Sequence, residues 1–359
     1  MRIFDVVIVG GGPAGSACAW KLRRQGADVA IVDKAAFPRD KVCGGWITPE
    51  VLDRLDMDAA EYARDRVLQP IAGFRTGAIG AEAVETRYTR TVSYGIRRRE
   101  FDEYLLRRSG AQVYESLPVA AVDRSDGSWV LNGSIGGRVL VGAGGHFCPV
   151  AHAMGAASGG ESPVVAQECE FVMDERQRAA CGVRGDTPEL YFCRDLRGYG
   201  WCFRKGGVLN VGLGRADRHR LSQHVAGFVR WMVPRIGFDI PALRGHAYLL
   251  YGSSPRRIAG ENWLLIGDAA GLAYPFSGEG ILPAIESGIL AARLIAANEL
   301  ESYAGNVAQR FDTAPGFITR LGARVPPRAL QAAAPRLLRS RWFARKVVLD
   351  CWFLHSKIE

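Results

Sequence analysis

The chain has 359 residues, 48% of them hydrophobic, enough for one large or two moderate domains with a substantial core. Its formal charge of +9 is concentrated at the end: from Arg320 onward nine Lys/Arg face two acids, leaving a nearly neutral body. No stacking motif or recognition module accompanies that charge, so nucleic-acid binding is not expected.

The opening segment, "FDVVIVGGGPAGSACAWKLRRQGADVAIVDK", predicts strand, tight turn, helix and second strand. Residues 6–9 are continuously apolar and β-branched, as expected of a parallel strand buried on both faces. Gly10, Gly12 and Gly15 form GxGxxG where strand becomes helix. The first permits the turn, the second admits a pyrophosphate to the backbone, and the third brings helix and strand together. The helix N-terminus, at Pro13 and Ala14, then faces the phosphates. Asp33, with Lys34 beside it, ends the second strand about 20 residues on, placed to accept from a ribose hydroxyl. These features predict dinucleotide binding, and their spacing does not separate NAD from FAD.

The loop that follows, "KAAFPRDKVCGGWITP", contains Lys41, Cys43, Gly44 and Gly45. Metal ligation by Cys43 is disfavoured, because no Cys or His partner lies at ligand spacing. The eight cysteines form no CxxC pair, and "IFDVVIVG" is too short for a signal segment, so reduced thiols in the cytoplasm are expected. Next, "SYGIRRREFDEYLLRRSGAQVYES" predicts a helix carrying Arg98, Phe101 and Asp102. In "RVLVGAGGHFCPVAHAMG", Gly142 and Gly145 suit a backbone bend.

In "GYGWCFRKGGVLNVGLG", Tyr199, Trp201 and Phe203 alternate along one strand and project to one face. That face is either an aromatic substrate wall or packing for the domain core. "ENWLLIGDAAGLAYPFSGEGILPAIESGILAARLIAANEL" predicts a buried strand over residues 263–266, then Gly267 and Asp268, then a long apolar helix. From Ala304 the chain reads as helical apart from "VPP" and "AAAP". Its tail mixes Arg/Lys with Trp342, Phe343, Trp352 and Phe353. That composition suits peripheral contact with an anionic membrane, or, as preferred, a helix packing its aromatic side and leaving the arginines in water. No apolar run approaches the roughly 20 residues needed to span a bilayer.

Taken together these motifs resemble the geranylgeranyl reductase family, a branch of the p-hydroxybenzoate hydroxylase-like flavoproteins. "FPRDKVCGG" is similar to the family's FPRxKxCGG signature, and "YGWCFRK" with "NVG" to its YxWxFPK…NVG segment, Arg204 standing where proline is common. Gly267 and Asp268 resemble the GD element of FAD-dependent oxidoreductases, whose Asp contacts the ribityl chain. The helix containing Arg98 resembles their R-x-x-F-D-x-x-L helix, whose arginine reaches the cofactor. One departure is Gly144 and Gly145 where Asp-Gly is usual, with Cys148 for Ser; this weakens the case for NAD(P)H against another reductant as electron donor.

The resemblance implies an α/β fold: a discontinuous Rossmann-like FAD-binding domain (1–68, 95–157 and 256–300) with an inserted antiparallel β-sheet substrate domain (69–94 and 158–255) and a helical C-terminal segment (301–359). FAD-binding candidates are Gly10, Gly12, Pro13, Ala14, Gly15, Asp33, Lys34, Lys41, Cys43, Gly44, Arg98, Gly267, Asp268, Gly278, Gly280 and Ile281. Tyr199, Trp201, Phe203 and Cys43 are the catalytic candidates. Cys43 would be a small wall residue, the preferred role, or a proton donor opposite hydride addition.

The implied activity is flavin N5 hydride transfer to or from a C=C bond of an apolar, isoprenoid or aromatic substrate. Sharing the scaffold are an aromatic monooxygenase using a flavin C4a-hydroperoxide, a halogenase and a non-catalytic FAD-binding protein. The halogenase is disfavoured because residues 70–100 contain no lysine.

Overall fold

The first strand, Arg2–Val9, runs through the middle of an eight-stranded sheet, parallel to Val29–Val32 on one side and Ile135–Gly142 on the other. Val6, Val7 and Ile8 are at most 1% exposed, so neither face of the strand meets water and the apolar run need not alternate. Gln112–Tyr114 and Trp263–Leu265 extend the parallel order outward. Ala259–Gly260 closes one edge antiparallel, and the hairpin of Val122–Ser125 and Ser128–Leu131 pairs with Ile135–Gly142. The computed structural model describes residues 1–156, 161–217, 220–252, 256–311 and 327–355.

A second sheet has seven strands in the order Arg244–Tyr248, Val164–Val172, Val208–Arg215, Gly198–Lys205, Glu189–Phe192, Gly73–Ala78 and Val84–Arg87. All neighbours are antiparallel except Glu189–Phe192 with Gly73–Ala78. The antiparallel expectation therefore needs one amendment: the two inserted segments join through a parallel pair. Strand alternation gives this sheet two apolar faces. Phe74, Leu190, Trp201 and Phe203 lie on one; Tyr191, Cys202 and Val211 pack on the other, against Phe228 and Met232 of the Leu221–Ile236 helix. A three-stranded ribbon of Trp46–Ile47, Ser93–Ile96 and Leu68–Ile71 completes the strands.

The helix Pro13–Arg23 crosses the helix Ile281–Ala296 at close range, because small residues line the contact. A Cβ on Gly288 would lie 2.4 Å from the Ala14 carbonyl oxygen. This contact brings the GxGxxG turn beside the GD element from far along the chain. After Trp263–Leu265 the chain makes only a 3₁₀ turn, Gly267–Ala269, before the long helix starts at Ile281. Pro275 and the glycines between them delay it.

The tail departs from expectation at "AAAP". A helix spans Pro327–Arg339 and so runs through that segment. A proline forfeits one i→i−4 bond but need not end a helix whose neighbours are good helix formers. "VPP" lies partly outside the described residues. The following helix, Phe343–Phe353, is π-helical and packs on the second sheet, with Val348, Leu349 and Phe353 buried beside Phe74 and Trp201. Among the described residues no helix is long and apolar enough to cross a membrane.

Candidate active site

At the end of the first strand, Gly10 has φ +114°, and a Cβ there would lie 2.4 Å from the Ala143 carbonyl oxygen. Only glycine fits this turn. Asp33 is 8% exposed; its Oδ2 accepts from Gly11 N–H at 2.7 Å and its Oδ1 from Ala35 N–H at 2.9 Å. It thus ties the glycine turn to the second strand, and a carboxylate has lone pairs left for a hydroxyl. Gly12 caps the first helix, Pro13 follows at its first position, and no acid occupies the first turn. Ala14 is buried against the core, Gly15 packs under Gly10, and Lys34 is exposed.

Positive charge gathers beside this turn. Arg39 Nη2 lies 3.5 Å from the place a Gly12 Cβ would take, and 3.3 Å from Asp102. Arg98 makes a bidentate bond to the same carboxylate, at 2.7 and 2.8 Å. Its neighbours point elsewhere: Arg97 pairs with Glu100 and the half-exposed Arg99 with Asp40. Burial opposes the Arg98 charge, but Asp102 and the adjacent Cys43 thiol outweigh it and hold the guanidinium protonated.

Burial pulls Lys41 down to about 8, with Asp268 acting the other way. Lys41 Nζ lies 2.6 Å from His246 Nε2. Burial, then Lys41, push His246 down to about 3, so the imidazole is neutral and accepts from the ammonium. Asp268 sits in the 3₁₀ turn, its Oδ1 3.0 Å from the place a Gly280 Cβ would take. Gly267 N–H donates to Ser287 Oγ at 2.9 Å, and Ile281, 4% exposed, starts the long helix.

Arg39, Lys41 and Arg98 thus gather with Asp33, Asp102 and Asp268 beside the glycine turn, where the first helix's N-terminus adds a positive partial charge. The glycine turn and the helix N-terminus would let a diphosphate reach backbone N–H groups, with Arg39 beside Gly12. The residues fit FAD. At position 144 space is tight: a Cβ there would lie 3.1 Å from Cys148 Cα and 3.2 Å from its Sγ, so a larger side chain needs that loop to give by a few tenths of an ångström.

The 43–45 loop hangs from the second sheet by a buried polar network. Cys43 N–H donates to Glu168 Oε1 at 3.0 Å. Asn210 Nδ2 donates to the Cys43 carbonyl at 3.0 Å and to Glu168 Oε2 at 2.5 Å, while Asn210 Oδ1 accepts from Trp201 Nε1 at 2.7 Å. Lys205 is wholly buried; it donates to the Ile96 carbonyl at 2.8 Å and to Glu170 Oε2 at 2.7 Å. A Cβ on Gly45 would lie 2.4 Å from Lys205 Nζ and 2.3 Å from the Ile96 oxygen. One on Gly44 would touch the Phe203 ring at 3.3 Å. Cys43 Sγ accepts from Gly45 N–H at 3.4 Å. Burial pushes the Glu168 carboxyl up to about 7, against the pull of the Cys43 N–H.

Tyr199, Trp201 and Phe203 share one sheet face, as the alternation predicts, and the tail closes over them: Phe353 lies 5.4 Å from Tyr199 and 6.0 Å from Trp46. Tyr199 OH donates to the Ser277 carbonyl, and Tyr248 OH lies 2.4 Å from the place a Gly278 Cβ would take. Burial raises both phenols, which stay neutral. With Trp201 8% and Phe203 6% exposed, the aromatic residues also pack the core.

Sequence reasoning missed Arg39, Glu168, Asn210, His246 and Tyr248. The available signal was two acids, Glu168 and Glu170, at alternate positions in a strand that is apolar but for them and Gln167.

A model of the family described as FAD dependent oxidoreductase matches residues 5–102. Menaquinone reductase of Mycobacterium tuberculosis is 30% identical over 368 residues, covering 94% of this chain and 88% of that protein. Geranylgeranyl diphosphate reductase of Rhodobacter capsulatus is 28% identical over 319 residues, 80% of this chain and 74% of that one. The chain belongs to the geranylgeranyl reductase family of FAD-dependent oxidoreductases. The crystal structure of a geranylgeranyl bacteriochlorophyll reductase-like protein from Thermoplasma acidophilum has this family member's fold, with a TM-score of 0.76 at 21% identity over 95% of this chain and 92% of that one. As a member of the family the protein is an oxidoreductase that uses FAD.

Proposed function

We propose that this geranylgeranyl reductase family member reduces a carbon–carbon double bond in an apolar isoprenoid or quinone-type substrate. One observation carries the reading: the buried wall of Tyr199, Trp201 and Phe203 abuts the 43–45 loop and is closed by Phe353. Such a wall buries a hydrocarbon chain well and offers few groups that would select a polar one. Relatives named for menaquinone and for geranylgeranyl diphosphate support the choice.

When bound and reduced, FAD supplies the hydride. The protein's own groups do the rest. Arg39, Lys41 and Arg98 would offset the charge of the diphosphate, while Asp33 and Asp268 would accept from ribose and ribityl hydroxyls. An isolated double bond has no carbonyl to polarise, so rate depends on holding it in place with water excluded. The Glu168–Asn210 network fixes the 43–45 loop, and the aromatic wall fixes the chain against it.

The test is anaerobic. Purified yellow protein is reduced, then mixed with geranylgeranyl diphosphate or menaquinone. Return of the oxidised flavin band, with two extra hydrogens on the isoprenoid chain of the product and not on a quinone ring, is the expected result. No reoxidation by substrate under these conditions, with an oxygenated product once air is admitted, would sink the reductase reading in favour of a monooxygenase.

A further inference from the structure

The tail that closes the aromatic wall also builds a surface. Trp352, next to the wall residue Phe353, stacks on Phe276 at 5.5 Å and meets Phe343 edge-on at 6.2 Å. This chain of rings reaches solvent at both ends: Phe276 is 47% exposed, and Trp342, adjoining Phe343, is 61% exposed. Arg336, Arg339, Arg341 and Arg345 are exposed along the same segment, and the Lys346 side chain is 40% exposed. Asp350, the one acid between residues 327 and 355, is already shared by Tyr88 OH and Lys346.

We propose that this basic, tryptophan-bearing face of the C-terminal segment docks on an anionic lipid bilayer, with Trp342 and Phe276 entering the headgroup region. Charge complementarity selects the occupant, because five cations with one neutralised acid suit a negatively charged surface. Exposed Trp and Phe among arginines suit an interface that is apolar on one side and wet on the other. The purpose rests on the reading above, since an isoprenoid substrate resides in such a bilayer. The Trp352–Phe353 step then sets the aromatic wall beside the membrane-facing edge.

The test is cosedimentation of the full-length yellow protein with vesicles, scored without turnover. Vesicles containing phosphatidylglycerol should carry the protein down at low salt, and pure phosphatidylcholine should not. Added salt should release it. Arg339→Gln, Arg341→Gln and Arg345→Gln should each weaken partitioning about five-fold, the equivalent of about 1 kcal/mol per cation. Trp342→Ala should weaken it further without bleaching the flavin.

Wild-type protein that stays in solution with anionic vesicles at low salt overturns the proposal. So does a lipid-free dimer abolished by Trp342→Ala, which would give the face to a second copy of the chain. Protein that binds anionic vesicles yet reduces no isoprenoid leaves this surface standing and removes only the proposed reaction.

Discussion

Glu168 accepts from the backbone N–H of Cys43 at 3.0 Å, and Asn210 donates to the carbonyl of the same residue, also at 3.0 Å. The signature loop is therefore gripped by its main chain from two adjacent strands of the seven-stranded sheet. Asn210 is the hub, because it also receives Trp201 Nε1 and donates to Glu168. Asn210→Leu would keep the volume but strand a buried indole N–H and a carbonyl. At about 1–3 kcal/mol for each unsatisfied buried group, the expected loss is roughly 3 kcal/mol of stability. A urea titration of the FAD-loaded variant checks this, and an unchanged midpoint would show that the network does not hold the loop.

Glu168 also gives the fold a pH signature. Burial raises its folded value to about 7 from an ordinary 4.5. Between those values the folded state keeps a proton that the unfolded chain has lost, so this group's contribution is full below 4.5 and gone above about 7. His246 has the opposite sign: lowered from 6.5 to about 3, it loses stability as pH falls through that interval. Comparing wild type with Glu168→Gln cancels the His246 contribution. The stability difference, wild type minus variant, should fall as pH rises across the Glu168 window. A difference that is flat or rises with pH would contradict a raised carboxyl.

Two glycine-to-alanine changes should move stability in opposite directions. A Cβ at Gly288 would meet the Ala14 carbonyl oxygen at 2.4 Å, and that atom is helix backbone with little freedom to give way. Gly288→Ala should cost about 1–3 kcal/mol and loosen FAD, because it pries the glycine turn from the GD element. Gly305 lies in the helix Tyr303–Phe311 with nothing within 4 Å of its Cβ position. Gly305→Ala should therefore stabilise by about 0.5–1 kcal/mol. Denaturant midpoints and the flavin absorbance of each variant read both effects.

What was legible in the sequence was local. The run of residues 6–9, the GxGxxG turn and Asp33 lie within one βαβ span, so spacing alone orders them. The alternation of Tyr199, Trp201 and Phe203 likewise belongs to one strand. Partners set by tertiary pairing left no such trace. Glu168 and Asn210 are neighbours across a strand pair, and both meet Cys43 from far along the chain. The same holds for Lys41 with His246, and for Phe353 against Tyr199. A strand's period tells which face a side chain takes, but not which distant loop lies on that face.

Cys43 is where the preferred and alternative roles separate by magnitude. Its Sγ accepts from Gly45 N–H and lies beside the Arg98 guanidinium, contacts that shape a tight turn. As a wall and turn residue, it should tolerate Cys43→Ser with FAD bound and turnover within about ten-fold of wild type. A general acid in the reaction is worth typically 10²–10⁴-fold, so loss of a proton donor would fall well outside that band. The measurement is single-turnover reoxidation of the reduced variant by substrate, with the flavin spectrum confirming full loading. A decrease of about 10³-fold in a fully loaded variant would assign the proton to Cys43. A small decrease assigns it elsewhere, and the neutral phenols of Tyr199 and Tyr248 are the next to substitute.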